Sequence, residues 1–128
     1  MRSTAELTHA SLPELGRHLQ GLTAREDVRI SEVTDLLLRK AVLARVSDVH
    51  MEPTRNGMRV RFRIDGVFQD AAVLPAALHD QIVARVKVMA DLLTHRRDIV
   101  QEGRISLPVD GRTTDLRVSV VPTVGGEK

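Results

Sequence analysis

The chain has 128 residues, no cysteine and a formal net charge of only +2. That length fits one domain with a short extension, and the lack of cysteine excludes disulfides and thiol chemistry. Hydrophobic residues make up 42%, enough for a modest core, but Phe62 and Phe68 are the only aromatics, so that core must be aliphatic.

No apolar run approaches the roughly 18 residues of a membrane span. Residues 1–22 are polar and interrupted by Pro13 and Gly16, so they do not read as a signal peptide. Together these features fit a cytoplasmic protein. The basic side is nearly all arginine, with Lys40, Lys87 and Lys128 the only lysines. Arginine suits bidentate contacts with carboxylate and phosphate.

Residues 1–29 read as an extension. Leu12, Leu15, Leu19 and Leu22 fit one helical face, with Ser11 as N-cap and Pro13 tolerated in the first turn. Gly16 and Gly21 have the spacing of a phosphate-binding loop. Leu22 stands where the essential lysine belongs, so the spacing is a coincidence. From Ser31, apolar residues at Val33, Leu36, Leu37, Ala41 and Ala44 predict an amphipathic helix of about four turns, capped by Ser31 and ending near Val46.

The central stretch, Ser47 to Gly66, reads SDVHMEPTRNGMRVRFRIDG. Val49 and Met51 alternate with Asp48, His50 and Glu52, and Val60, Phe62 and Ile64 alternate with Arg59, Arg61 and Arg63. Period-2 alternation means one buried and one wet face. Asn56-Gly57 and Asp65-Gly66 suit tight turns with positive φ. A meander of strands near 48–53, 58–64 and 67–73 follows. Pro75 opens a helix over about 76–92, with Leu78, Ile82, Val86, Met89 and Leu93 along one face and Arg85 and Lys87 off it.

After a charged link at residues 95–98 comes a second hairpin. Ile105, Leu107 and Val109 alternate with polar residues, Asp110-Gly111 turns, and Leu116, Val118 and Val120 alternate with Asp115, Arg117 and Ser119. Pro122 ends the strand, and residues 125–128 read as the start of a linker. The sum is an α+β domain over residues 30–124. It has a five-stranded, mostly antiparallel sheet and two main packed helices.

The outward arginines Arg59, Arg61, Arg63, Arg104 and Arg117 are the main candidates for chemistry. Alternate strand residues lie roughly 6.6–6.8 Å apart, so such a stripe can meet phosphates or acidic side chains of a partner. The plainer reading is a solvated face kept charged against edge aggregation. Asp48, His50 and Glu52 share one strand face, but their i, i+2 spacing lacks metal-site logic, so a polar strand face is the simpler account and no metal is assigned. Nucleic acid is disfavoured: Trp and Tyr are absent, and single-strand binders need exposed stacking rings.

The runs SDVHMEP, RVRFRIDGV, RVKVMADL, QEGRISLPVDGR and DLRVSVVPTVGGEK, in this order, resemble the N-terminal PAS-like domain of bacterial type II secretion and type IV pilus assembly ATPases. The resemblance covers about residues 30 to 128. Two positions depart from the usual motifs: Glu102 replaces an aspartate before Gly-Arg, and Val120 stands where the RVST motif has threonine.

The resemblance implies a domain that precedes a RecA-like ATPase domain in a homo-hexamer, working with inner-membrane platform proteins and peripheral to that membrane through them. It implies that arginines of this domain reach the γ-phosphate of ATP, with Mg2+, bound on the ATPase domain. Arg117 in the RVS motif is the best match, and Arg104 in the Gly-Arg motif would serve the nucleotide side or the domain interface. Arg59, Arg61 and Arg63 would serve a domain interface.

The chain itself has no GxxxxGK[ST] loop, because Arg39, Val86 and Glu127 precede its three lysines. It is therefore not expected to hydrolyse ATP or to bind a cofactor alone. Its end inside the Gly-Glu-Lys motif reads as a piece of a larger ATPase or a separate regulator. The alternative reading is an interaction module that binds an acidic protein through its arginine face.

Overall fold

In the computed structural model, residues 11–24 and 28–128 are described. The capping role expected of the Ser11 side chain lies outside the described residues. Three helices and seven strands occur among them: α1 (Ser11–Thr23), α2 (Ile30–Leu43), β1 (Asp48–Thr54), β2 (Gly57–Ile64), β3 (Val67–Leu74), α3 (His79–Met89), β4 (Gln101–Val109), β5 (Arg112–Val120), β6 (Pro122–Thr123) and β7 (Gly126–Glu127), with a 3-10 turn at Ala76–Leu78 before α3.

Helix α1 lays Leu12, Leu15 and Leu19 into the core, as its leucine spacing predicts. It runs against β3, and a Cβ added at Gly16 would sit 3.3 Å from the Ala71 carbonyl, so only a residue without a side chain allows this approach with ease. Helix α2 starts one residue before Ser31. Arg29 is the extended N-cap, no side chain caps the helix, and Val33 N donates to the Arg29 carbonyl at 3.1 Å. The expected cap at Ser31 is therefore a first-turn residue. The helix closes at Arg45, which takes φ 54 while Val46 N bonds back to the Ala41 carbonyl at 3.2 Å.

The α+β class holds, but the expected single five-stranded sheet is replaced by three antiparallel sheets: β1-β2-β3, β4-β5 and β6-β7. Helix α2 explains the split. Its Val33, Leu37 and Ala41 join α1, β2 and Ile82 in one core cluster, whereas the adjacent Leu38 joins Ile105, Leu107 and Val109 of β4 in a second. A helix that buries two neighbouring faces keeps a sheet on each, and Met51 packs against both clusters.

Turn chemistry follows the sequence at two of three sites. Asp65-Gly66 and Asp110-Gly111 both have positive φ at both positions, as the two-residue hairpin requires. At the first hairpin Thr54 pairs with Gly57, so the loop residues are Arg55-Asn56, one position earlier than expected. Gly57, at φ 134, lies inside β2, and any side chain there would run into the Leu74 carbonyl. A bulge opposite Val60/Arg61 leaves Ala71 unpaired and buried.

Two further expectations change. The predicted helix over 76–92 is the shorter α3 behind its 3-10 turn, and its buried stripe is Leu78, His79, Ile82, Val83 and Lys87. Lys87, expected off the apolar face, is 1% exposed. Residues 125–128, read as the start of a linker, pair back: Val121 and Lys128 exchange backbone hydrogen bonds of 3.0 and 2.9 Å around β6 and β7. Among the described residues no helix is long and apolar enough to cross a membrane.

Candidate functional site

The five outward arginines do not form one face. Arg59, Arg61 and Arg63 lie on β2, in the first sheet, and Arg104 and Arg117 on the β4-β5 hairpin. The split follows from the placement of α2 between the sheets, and it separates the arginines chemically as well.

On β2 each arginine is already committed. Arg59 Nε donates to Asp70 at 2.9 Å, and its raised pKa comes first from that hydrogen bond and then from the same carboxylate's charge. Arg61 lies 3.4 Å from Glu52, and Arg63 lies 3.4 Å from Asp48. Register makes these pairs: Arg63 is directly opposite Asp48 on β1, and Arg59 opposite Glu52. Opposite charges facing across strands stabilise a sheet.

Phe68 sits on this outer face at 38% exposure, whereas Phe62 is buried at 1%. The guanidinium carbons of Arg61 and Arg63 lie 4.9 and 4.6 Å from the Phe68 ring centroid, and His50 meets the ring edge-on at 4.9 Å. Such stacking suits a cation over an aromatic face. The three arginines are thus neutralised and packed within their own sheet.

The same pairs decide the acidic strand face. Asp48 accepts from Ser47 Oγ at 2.9 Å besides its contact with Arg63, and Glu52 gathers Arg61, Arg59 at 4.0 Å and Lys128 at 3.7 Å. Among the described residues no group of three or more His, Asp or Glu is arranged to hold a metal ion.

Arg104 and Arg117 are different. They are directly opposed Cα partners in the β4-β5 ladder, both exposed, and neither has an ion pair or side-chain hydrogen bond among the described residues. Cross-strand neighbours have Cβ atoms about 4.5–5.5 Å apart, where like charges repel. The neighbouring pair on this face, Ser106 and Asp115, is satisfied by a 3.0 Å hydrogen bond. The result is two facing guanidinium groups on a regular strand pair, flanked on the same face by the exposed carboxylates of Glu102 and Asp115. Guanidinium forks of this kind suit an anion with several oxygens.

The hairpin is held by the segment before it. A Cβ on Gly103 would stand 2.8 Å from the Ala90 carbonyl and 2.9 Å from Leu92 Cδ2, so glycine permits the close approach beside Arg104. Buried Gln101 donates to the Leu93 carbonyl at 2.9 Å and accepts from Leu93 N at 2.8 Å, which fixes the loop ahead of β4.

A buried cluster escaped the sequence reading. Lys87 Nζ donates to Glu127 Oε1 at 2.6 Å and to the Arg96 carbonyl at 2.7 Å. His79 Nε2 donates to the Glu127 carbonyl at 2.6 Å. Its one sequence signal was position: Lys87 falls four residues after buried Val83 on α3.

Comparison with known proteins identifies the family of the chain. A family model described as type II/IV secretion system protein matches residues 23–128. The type II secretion system protein E of Xanthomonas campestris is 42% identical over 98 residues, 77% of this chain and 17% of that protein. The type IV pilus assembly ATPase PilB of Myxococcus xanthus is 42% identical over 106 residues, 82% of this chain and 19% of its own length. The type II secretion system ATPase E of Vibrio cholerae is 36% identical over 115 residues, 90% of this chain and 23% of its own. The chain therefore spans about a fifth of the length of these relatives, and within that span it belongs to the type II/IV secretion system protein family.

Proposed function

We propose that this chain is the regulatory and assembly domain of a traffic ATPase serving type II secretion or type IV pilus assembly. It offers Arg117, with Arg104 beside it, to the γ-phosphate of an ATP–Mg2+ complex held on a RecA-like ATPase domain. The observation that supports this reading most is the directly opposed, unpartnered pair Arg104–Arg117. Two facing like charges cost a strand pair stability, which supports a role for them toward an incoming anion.

The chemistry is electrostatic. Phosphoryl transfer spreads negative charge over the γ-phosphate oxygens, and a guanidinium held in place stabilises that charge without reorganising. Two arginines on one hairpin of a twisted sheet are well placed to deliver such groups to a neighbouring surface. In this reading residues 30–124 are the PAS-like domain, with its five long strands divided between two sheets. Residues 125–128 then lead toward the ATPase domain, and the working state is a homo-hexamer in the cytoplasm, peripheral to the inner membrane through platform proteins. Arg59, Arg61 and Arg63, neutralised by their own carboxylates, would supply structured interface surface rather than net charge.

The test is Arg117→Ala in a full-length ATPase carrying this domain, with Arg55→Ala, in the exposed β1-β2 loop, as control. ATP turnover should fall by orders of magnitude with Arg117→Ala, as for other arginines of this kind, with thermal stability and the control's turnover little changed. Wild-type turnover in Arg117→Ala would remove the proposed role.

A further inference from the structure

Strand β5 pairs only with β4 among the described residues. Its second edge, nine residues long and with no proline or bulge, leaves a row of backbone N–H and C=O groups without a strand partner. Such an edge is a template for another strand. Exposed Thr113, Asp115, Arg117 and Ser119 alternate along it with half-buried Thr114, Leu116 and Val118, so an added strand would continue both a polar face and an apolar one.

The charges choose the partner and its register. In an antiparallel pair, only alternate residues turn their backbone groups toward a given edge. Two copies of β5 related by a twofold axis can therefore be centred on one residue. Centring on Asp115 sets that carboxylate against itself, and centring on Arg117 sets that guanidinium against itself. Centring on Leu116 sets Asp115 against Arg117 twice, Leu116 against Leu116, Thr114 against Val118 and Thr113 against Ser119. Arg117, opposed by Arg104 within its own chain, then gains a carboxylate.

We infer that the outer edge of β5 is a self-pairing interface, joined antiparallel to β5 of a second copy in the register centred on Leu116. The pairing does not depend on the nucleotide reading. It has a consequence for that reading, because a paired Arg117 is occupied by Asp115 of the other copy and is withdrawn from phosphate.

The experiment is sedimentation of the 128-residue chain from micromolar to millimolar concentration, with circular dichroism to confirm folding. A concentration-dependent dimer is expected. Arg117→Asp and Asp115→Arg should each give monomers, because each opposes like charges. The combined exchange, Asp115→Arg with Arg117→Asp, should restore the dimer. A monomer at all concentrations, a dimer that survives either single change, or a folded double variant that stays monomeric would overturn the inference.

Cross-linking gives an independent readout, since the chain has no cysteine. A short bis-maleimide should join Thr113→Cys chains to Ser119→Cys chains in a mixture, and neither to its own kind. In this register residue 113 of one copy lies beside residue 119 of the other, and like residues lie roughly 20 Å apart at the usual rise per residue. Joining of like with like, or no cross-link, would sink the register.

Discussion

Lys87 and Glu127 form a 2.6 Å ion pair at 1% and 4% exposure, tying the last turn of α3 to the strand at the end of the chain, 40 residues later. Arg97 approaches the same oxygen at 3.8 Å and also reaches Asp80 at 2.8 Å, so the loop after α3 closes over the pair. Glu127 Oε2 has no hydrogen-bond partner among the described residues, so the pair is only partly satisfied.

Breaking one side should cost more than removing both. Glu127→Ala leaves a buried ammonium without its counter-ion, and a loss of about 3–5 kcal/mol is expected for a buried pair broken in this way. Lys87→Met combined with Glu127→Leu removes both charges and should recover most of that loss. Denaturant unfolding of Lys87→Met, Glu127→Leu and their double variant, beside Glu127→Ala, measures this. A double variant less stable than either single would show that the pair is net stabilising against an apolar replacement.

Arg104 and Arg117 predict the opposite behaviour. Directly opposed like charges destabilise a strand pair, so Arg117→Gln should raise the thermal midpoint slightly, and more at low salt than at high, where screening has already reduced the repulsion. A gain in stability from losing a side chain marks a residue kept for something other than folding. A salt-independent fall in midpoint would instead assign Arg117 a structural role.

Asp98 gives a pH test. Its carboxyl titrates below its ordinary value of 3.8, first because Arg96 donates a hydrogen bond to it, at 2.9 Å from Nε, and then through a backbone bond. The folded form thus binds its proton less readily than the unfolded chain. Its contribution to ordering the loop is present above the unfolded value and is lost as pH falls through the lower folded one. Carboxyl NMR titration should place Asp98 below 3.8, and Arg96→Gln should move it back up. An unchanged titration in that variant would mean that Arg96 is not the cause.

Among the described residues, the sequence by itself determined the type and order of the long elements, though not the bounds of α3, because periodicity is local. Leu12, Leu15 and Leu19 mark α1, the alternation of Val60, Phe62 and Ile64 with three arginines marks β2, and Asp110-Gly111 marks the last hairpin. It also made Arg104 and Arg117 opposite numbers once that turn was placed, since a two-residue turn fixes register. Only the tertiary structure decided which arginines remain unpartnered. Neutralisation of Arg59 by Asp70 and of Arg63 by Asp48 depends on three strands meeting, and the bulge at Ala71 shifts β3 against them. The division into separate sheets depends on α2 burying Leu37 and Leu38 in different clusters, and the burial of Lys87 depends on a carboxylate 40 residues away. Burial of a charge is a property of its partners, and those partners are brought together by folding rather than by neighbourhood in the chain.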